Sequence, residues 1–227
     1  MARLNKQILG RVSGAVGDIV FREKNGKNFI GIKPSSFMPG NDEASIARRA
    51  KFALTAKLAS TINSNEELKQ LWKNETPAGL STHNYILRQN YPFVLPGNIS
   101  GLVKILPYAG FSTIASGLEI TDTQIIVNIG PIGSTTGIDL VNEPNCRLYS
   151  LIYLHNPVDE SVDSNNFMFF TSGDQSTVLD SELTFNFGLS NQDTLLYNKY
   201  NSSIVFFVFV TVDITGNIIN NSNTLTV

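Results

Sequence analysis

The stretch Ile204-Val-Phe-Phe-Val-Phe-Val-Thr-Val212 decides the architecture of this 227-residue chain. It is the longest apolar run in the sequence, and it falls well short of the about 20 residues that a membrane-spanning helix needs. The run is rich in Val and Phe and does not alternate with polar residues. It therefore predicts a β-strand that is buried on both faces, and it argues against a transmembrane span.

Further strands are expected on both sides of this run, because apolar residues there recur with a period of two. Turn residues separate them at a spacing typical of an all-β sandwich. We predict a sandwich of about six to eight strands, of the broad immunoglobulin or fibronectin kind, over residues 96–227. The predicted strands are Gln124–Ile129, Arg147–Leu154, Phe167–Thr171, Glu182–Phe187, Ile204–Val212 and Thr224–Val227.

The first part of the chain has a different pattern. Two short apolar runs flank Asn25-Gly26, a pair that favours a tight type I′ turn, so residues 18–33 are predicted to form a β-hairpin. Helical periodicity follows the hairpin. Three helices are predicted: residues 42–61, a second one beginning at Ser64 with Glu67 as its capping-box partner, and residues 82–89. The fold class is therefore α+β.

Charge divides the chain at the same place as composition. Residues 1–95 contain 14 Lys and Arg against 7 Asp and Glu, whereas residues 96–227 contain 3 against 12. The prolines and glycine of Pro92–Asn98 interrupt regular structure between the two parts. We predict two domains with separate cores, a basic hairpin-and-helix docking domain at residues 1–95 and an acidic β-sandwich at residues 96–227.

No catalytic or metal-binding constellation is visible. His83 and His155 lack a motif that would supply a partner and an orienting group. Cys146 leads into a strand and is interpreted as a small buried residue, with Arg147 on the opposite face. The acidic stretch around Asp159 and Asp163 lacks the alternating oxygen ligands of a calcium loop. We predict a protein that is not an enzyme and needs no metal or other cofactor.

Basic residues of the hairpin and the first helix are the candidate interaction site. They are Arg22, Lys24, Lys27, Lys33, Arg48, Arg49 and Lys51. Three interpretations are open: these residues form a solvated surface, contact an acidic protein surface, or contact nucleic acid. Nucleic acid is disfavoured, because neither interleaved aromatic residues nor a known docking motif accompanies the charges.

The N-terminal stretch resembles a known pattern. Leu9–Arg22 contains Ser-Gly-X-X-Gly-Asp-X-Val, Asn25–Ile30 begins with Asn-Gly-Lys, and Lys33-Pro34 follows. Ala47–Phe52 supplies Arg-X-Lys-Phe, and Leu68–Trp72 also fits. This combination is similar to an uncharacterised family of Bacteroidetes bacteria and of their phages and prophages. The resemblance covers about a third of the chain. It implies no activity, but members lie among phage structural genes, which implies a virion component.

These observations predict a structural protein of a phage particle, capsid-associated or in the tail. The basic part would dock on other virion proteins or on the acidic part of another copy, without a small-molecule substrate. No secretory signal is visible at the N-terminus. The alternative is a bacterial surface or glycan-binding adhesion module, which exposed aromatic residues on one sandwich face would support. The candidate aromatic residues are Tyr149, Tyr153, Tyr197 and Tyr200.

Overall fold

The structure is a computed structural model that divides into two compact units, Met1–Ile46 and Ala47–Val227. It describes the backbone of residues 2–3 and all of residues 13–24, 26–33, 35–36, 38–133 and 137–227.

The first unit contains a four-stranded antiparallel sheet. Its strands are β1 (Ala2–Arg3), β2 (Gly14–Val16), β3 (Ile19–Lys24) and β4 (Lys27–Ile32), in the order β1-β4-β3-β2. The predicted hairpin is confirmed as β3 and β4, which pair from Ile19↔Ile32 to Lys24↔Lys27. Gly26 has a φ of 71°, which suits the predicted tight turn, while Asn25 lies outside the described residues.

Three helices connect the first sheet to the rest of the chain. They are α1 (Glu43–Ser64), α2 (Glu66–Glu75) and α3 (Thr82–Asn90), and a short 3₁₀ turn, Tyr91–Phe93, follows α3. All three correspond to predicted helices, but the predicted capping box of the second one is wrong. Asn65, not Ser64, caps α2 by accepting a 3.0 Å hydrogen bond from the Leu68 amide. Ser64 still belongs to α1, where its hydroxyl donates to the Thr61 carbonyl.

All six strands predicted after residue 98 are present, together with shorter ones. The elements after the 3₁₀ turn are β5 (Val94–Leu95), β6 (Asn98–Ile99), β7 (Ala115–Ile120), β8 (Gln124–Ile129), β9 (Asn145–Pro157), β10 (Asn165–Thr171), β11 (Gln175–Ser176), β12 (Leu183–Gly188), α4 (Asn191–Tyr197), β13 (Tyr200–Val212), β14 (Ile218–Asn221) and β15 (Leu225–Thr226). Of these strands, β5, β6, β7, β11 and β14 were not predicted.

Two antiparallel sheets dominate the second unit. The larger sheet has the order β10-β9-β13-β14, with β11 beside β9 and β15 beside β13. The smaller sheet has the order β12-β8-β7, and β5 and β6 form a separate ribbon. The long strands β9 and β13 pair along almost their full length, from Val212↔Asn145 to Tyr200↔Pro157, and form the centre of the larger sheet.

Each face of the larger sheet is covered by a different layer. On one face, Tyr149 and Phe206 belong to the same hydrophobic cluster as Leu58 and Trp72 of the helices. On the other face, Phe207 and Phe209 cluster with Phe185 and other residues of the smaller sheet. Residues 205–212 of β13 are all buried, so the prediction of a strand buried on both faces is confirmed. The unit is a three-layer stack of helices, larger sheet and smaller sheet.

The predicted division into residues 1–95 and 96–227 does not correspond to these units. Leu54, Leu58 and Ile86 from before residue 95 share one hydrophobic cluster with Val208 from after it. The short helices have too little apolar surface to form a core alone, and they bury their apolar sides on the larger sheet. The composition change at residues 92–98 thus marks a change from helices to strands inside one unit, and the separate cores are corrected to a shared one.

The predicted α+β class is confirmed, and the two packed sheets are compatible with a β-sandwich. Among the described residues, no helix is both long and apolar enough to span a membrane.

Candidate functional site

One face of the N-terminal sheet carries exposed apolar side chains, and Glu23 and the buried Asn28 lie on it near the hairpin turn. The strand register places Val16 beside Ile19, and Ile19 beside Ile32, on the same face. These side chains are 70%, 44% and 83% exposed, respectively. Phe21 and Ile30 pair farther along the same face and are partly buried. No apolar side chain is buried among the described residues of the unit.

The opposite face of this sheet carries cations next to the partly buried Val20 and Phe29. Side chains alternate between faces along a strand, so Arg22 and Lys24 of β3 share this face with Lys27 of β4. All three are exposed, as is Lys33, whose amide donates a 2.6 Å hydrogen bond to the Asp18 carbonyl. Within the described part of the chain, none of these four cations forms a salt bridge. The hairpin therefore presents three cations on a single surface, here called the basic face.

The other predicted site residues lie on α1, in the second unit. Arg48 and Arg49 are exposed, and Lys51 lies with its Nζ 4.4 Å from the centroid of the Tyr91 ring. A cation at this distance over an aromatic ring is weakly attracted by the ring electrons. The seven predicted residues are thus divided between two units, four in the first and three in the second.

The smaller sheet of the second unit has an outer face without cations. Ile125, Val127 and Phe185 point inward to the core. By alternation, β7, β8, β12 and the residue before β12 present mainly small, polar or acidic residues outward, with Ile126 among them. The carboxylates are Glu119 and Glu182, and Glu182 accepts a 3.0 Å hydrogen bond from the Ser116 hydroxyl. The outward residues are Gly117, Glu119, Gln124, Ile126, Asn128, Glu182, Thr184, Asn186 and Gly188. We call this surface the outer face.

Charge along the sequence accounts for the character of the outer face. Between Lys104 and Lys199 the chain has eleven Asp and Glu and a single cation, Arg147. Arg147 is only 11% exposed and is held by carboxylates of other elements, so it contributes little positive charge to the surface. The region from β7 to α4 consequently has a net negative charge.

Arg147 lies at the centre of an ionic network that joins α2 to the larger sheet. Its Nη1 is 2.6 Å from Glu67 Oε1, and its Nε is 2.6 Å from Asp174 Oδ1. The Tyr149 hydroxyl also donates to Glu67. Hydrogen bonds to Asp174 raise the pKa of Arg147, and burial raises the pKa of Tyr149. Arg147 is the single cation shared by the two carboxylates, so the network links α2 to the larger sheet.

The residues considered for catalysis are not brought together. His83 Nε2 lies 3.2 Å from the Ser60 hydroxyl, and His155 stacks on Tyr153 with 5.2 Å between the ring centroids. Asp163 is exposed and lies 3.7 Å from Lys57 Nζ. In the described ranges, no group of three or more His, Cys, Asp and Glu residues is arranged to hold a metal ion.

Cys146 is buried in the cluster between the two sheets, as predicted, and Arg147 points to the other face. Burial raises the pKa of the Cys146 thiol from 9.0 to about 11. We therefore expect iodoacetamide at pH 8 to alkylate Cys146 in the native protein at least ~100-fold more slowly than in urea, because the thiolate is the reactive form. Mass spectrometry of timed samples measures both rates, and comparable rates would contradict the burial of this thiol.

The tyrosines that would support a glycan-binding face do not form one. Tyr149, Tyr153 and Tyr200 are buried, and Tyr197 is partly buried against the core. The Tyr153 hydroxyl donates a 2.9 Å hydrogen bond to the Gly97 carbonyl, which satisfies its polar end. These residues therefore do not supply the exposed aromatic face that would have supported glycan binding, because the side chains of β9 and β13 are covered on both faces of the sheet and Tyr197 packs from α4.

Comparison with known proteins identifies no family. No protein-family model and no curated protein matches the chain. Among solved structures, the chain is similar to β-glucosidase from Kluyveromyces marxianus, in one crystal structure with glucose and in one selenomethionine-labelled form. The identities are 12% and 13%, over 57% of this chain in both cases, with TM-scores of 0.21 and 0.20. This chain spans only 14% and 15% of those enzyme chains, and likeness at such scores supports no statement about function.

The sequence indicated the cations of the hairpin. The exposed apolar face of the N-terminal sheet and the outer face of the smaller sheet were not predicted. The apolar face of the hairpin had no clear signal, because Ile19-Val-Phe21 and Phe29-Ile30 are runs of adjacent apolar residues and not an alternating pattern. The absence of Lys and Arg around β7, β8 and β12 was visible in the sequence. That Glu119 and Glu182 share a face depends on the pairing of these strands, which no local pattern reveals.

Proposed function

We propose that this chain is a non-enzymatic structural protein of a bacteriophage virion, associated with the capsid or the tail. It assembles through its N-terminal unit with other virion proteins and with copies of itself. The observation that carries the proposal is the N-terminal sheet, which combines an exposed apolar face with a basic face and buries no apolar side chain among its described residues.

Such a sheet is expected to gain stability from a partner. A small sheet needs an apolar layer packed on one side to be stable, and the described part of the first unit supplies none. Docking would bury Val16, Ile19 and Ile32, and each fully buried side chain of this size contributes about 1.5 to 3 kcal/mol. A contiguous exposed apolar surface of this kind is typical of a protein interaction site.

The second unit is the part that the N-terminal unit would hold on the particle. In this proposal its two packed sheets form an immunoglobulin- or fibronectin-like sandwich with helices added on one side. Because residues 47–95 share their core with the rest of the second unit, the part proposed to dock is residues 1–46. Adhesion to glycans is the alternative function, and Tyr149, Tyr153 and Tyr200 are buried and do not support it.

Purified particles provide the test. Phage particles induced from a lysogen that carries this gene should retain the protein through a density gradient and bind an antibody raised against the second unit. Detection in stoichiometric amounts by mass spectrometry and immunogold labelling is the expected result. Recovery of the protein only in the cell fraction, with particles complete without it, would overturn the proposed function.

A further inference from the structure

We propose that the basic face of one copy binds the outer face of the smaller sheet of a second copy. This inference rests on the proposed function and deepens it by naming the partner surface. It concerns Arg22, Lys24 and Lys27 on one side and Glu119 and Glu182 on the other.

Charge complementarity identifies the partner. The three cations of the basic face are exposed and form no salt bridge within the described residues, so an anionic surface can pair with them without displacing an existing partner. The outer face is anionic, and it lies in a stretch of sequence whose only cation, Arg147, is already neutralised by two carboxylates. No positive charge in that stretch would therefore repel the approaching basic face.

Shape supports the same pairing. Gly117, Thr184 and Gly188 give the outer face several short side chains, beside Ile126 and Asn186. Thr184 Oγ1 donates a 2.9 Å hydrogen bond to Asn128 Oδ1 across the two strands. Short side chains let a second sheet approach closely enough for its long Lys and Arg side chains to reach the carboxylates.

The contact would be heterologous, because two different surfaces of the same chain meet. In such a pair, one copy keeps an unused outer face and the other copy keeps an unused basic face. Repetition of the contact therefore produces a closed ring or an open row of copies, as a repeated virion component requires. The unused surfaces distinguish this arrangement from a symmetric dimer, in which the same surface of each copy is consumed.

Charge reversal on the two surfaces tests the contact. Variant A carries Lys24→Glu and Lys27→Glu, and variant B carries Glu119→Lys and Glu182→Lys, both in the full chain. We expect the wild type to associate at about 0.05 M NaCl and to dissociate at about 1 M, where charges are screened within about 3 Å. Each variant alone should associate at least ~10-fold more weakly, because its two surfaces then carry charges of the same sign.

Mixing the variants gives the decisive result. The acidic hairpin of A is complementary in charge to the basic outer face of B. The unchanged basic face of B is likewise complementary to the unchanged outer face of A. An equimolar mixture should therefore recover association to within about threefold of the wild type in sedimentation velocity. Variant C, Lys69→Glu with Lys73→Glu on α2, has the same charge change as A and should behave as the wild type. Circular dichroism checks that all variants are folded.

Several outcomes would overturn this inference. A wild type that is monomeric at both salt concentrations excludes the contact, as does a mixture of A and B that stays monomeric. Binding of the wild type, but not of A, to double-stranded DNA or to phosphatidylserine vesicles without self-association would assign the basic face to those anions. If the protein is nevertheless found in purified particles, the proposed function survives and only the partner is wrong. If association recovers in the mixture but the protein is absent from purified particles, the contact between copies survives and the proposed function is wrong.

Discussion

Replacement of Phe209 by alanine is expected to lower the free energy of unfolding by about 3 to 5 kcal/mol. Phe209 is completely buried in the cluster between the two sheets. Its ring packs edge-on against both Phe111 and Phe185, with 5.9 Å between the ring centroids in each pair. Removal of the ring leaves a cavity at a point where β13 contacts the smaller sheet, and the surrounding strands are paired too tightly to close it.

Urea denaturation followed by tryptophan fluorescence measures this loss. Trp72 is the single tryptophan of the chain and is buried on the opposite face of the larger sheet, so its signal reports unfolding of the whole second unit. Phe52→Ala serves as the control, because Phe52 is 55% exposed and its removal should cost less than about 1 kcal/mol. A loss for Phe209→Ala as small as that of the control would contradict the packing of the two sheets.

Replacement of Arg147 by methionine is expected to lower the free energy of unfolding by about 2 to 3 kcal/mol. Methionine retains the apolar stem but leaves Glu67 and Asp174 without their shared cation. Loss of one partner from a fully buried ion pair costs more, but Glu67 and Asp174 are 45% and 39% exposed, and water screens part of their repulsion. The same urea denaturation provides the measurement.

Two further variants separate charge from packing at this site. Lys69→Met breaks the exposed pair of Lys69 with Glu66 and should change stability by no more than about 0.5 kcal/mol. The double variant Arg147→Met with Glu67→Gln should regain about 1 kcal/mol relative to Arg147→Met, because one uncompensated carboxylate is removed. If the double variant regains nothing, the loss in Arg147→Met comes from packing and the ionic network is not what holds α2.

The strands and helices of this fold were largely predictable because each has a strong local pattern. Residues 204–212 lack the alternation of a half-exposed strand, and the structure buries both sides of them. The weak strand β7 was missed because Ser116 and Gly117 have low strand propensity and gain their place from pairing with β8. Glu67 was misassigned to a local cap because its partners, Arg147 and Tyr149, lie about 80 residues away in sequence.

Domain organisation was harder to predict for a related reason. A step in charge and composition at residues 92–98 looks the same in sequence whether it separates two cores or two layers of one core. Only the shared cluster of Leu58 and Trp72 with Tyr149 and Phe206 distinguishes the two cases. The candidate site has the same dependence on tertiary structure, because the basic hairpin is local in sequence whereas the outer face combines three strands from residues 115–188.

The central position of β13 has a consequence for the nascent chain. The helices emerge from the ribosome early, but the strand they cover is synthesised only roughly 140 residues later, a delay on the order of ten seconds. Until β13 joins β9, Leu58, Ile62 and Trp72 lack the complete sheet surface that buries them in the finished protein. Expression yield should therefore depend on chaperones that hold the early helices, and slow translation ahead of residue 200 should increase aggregation.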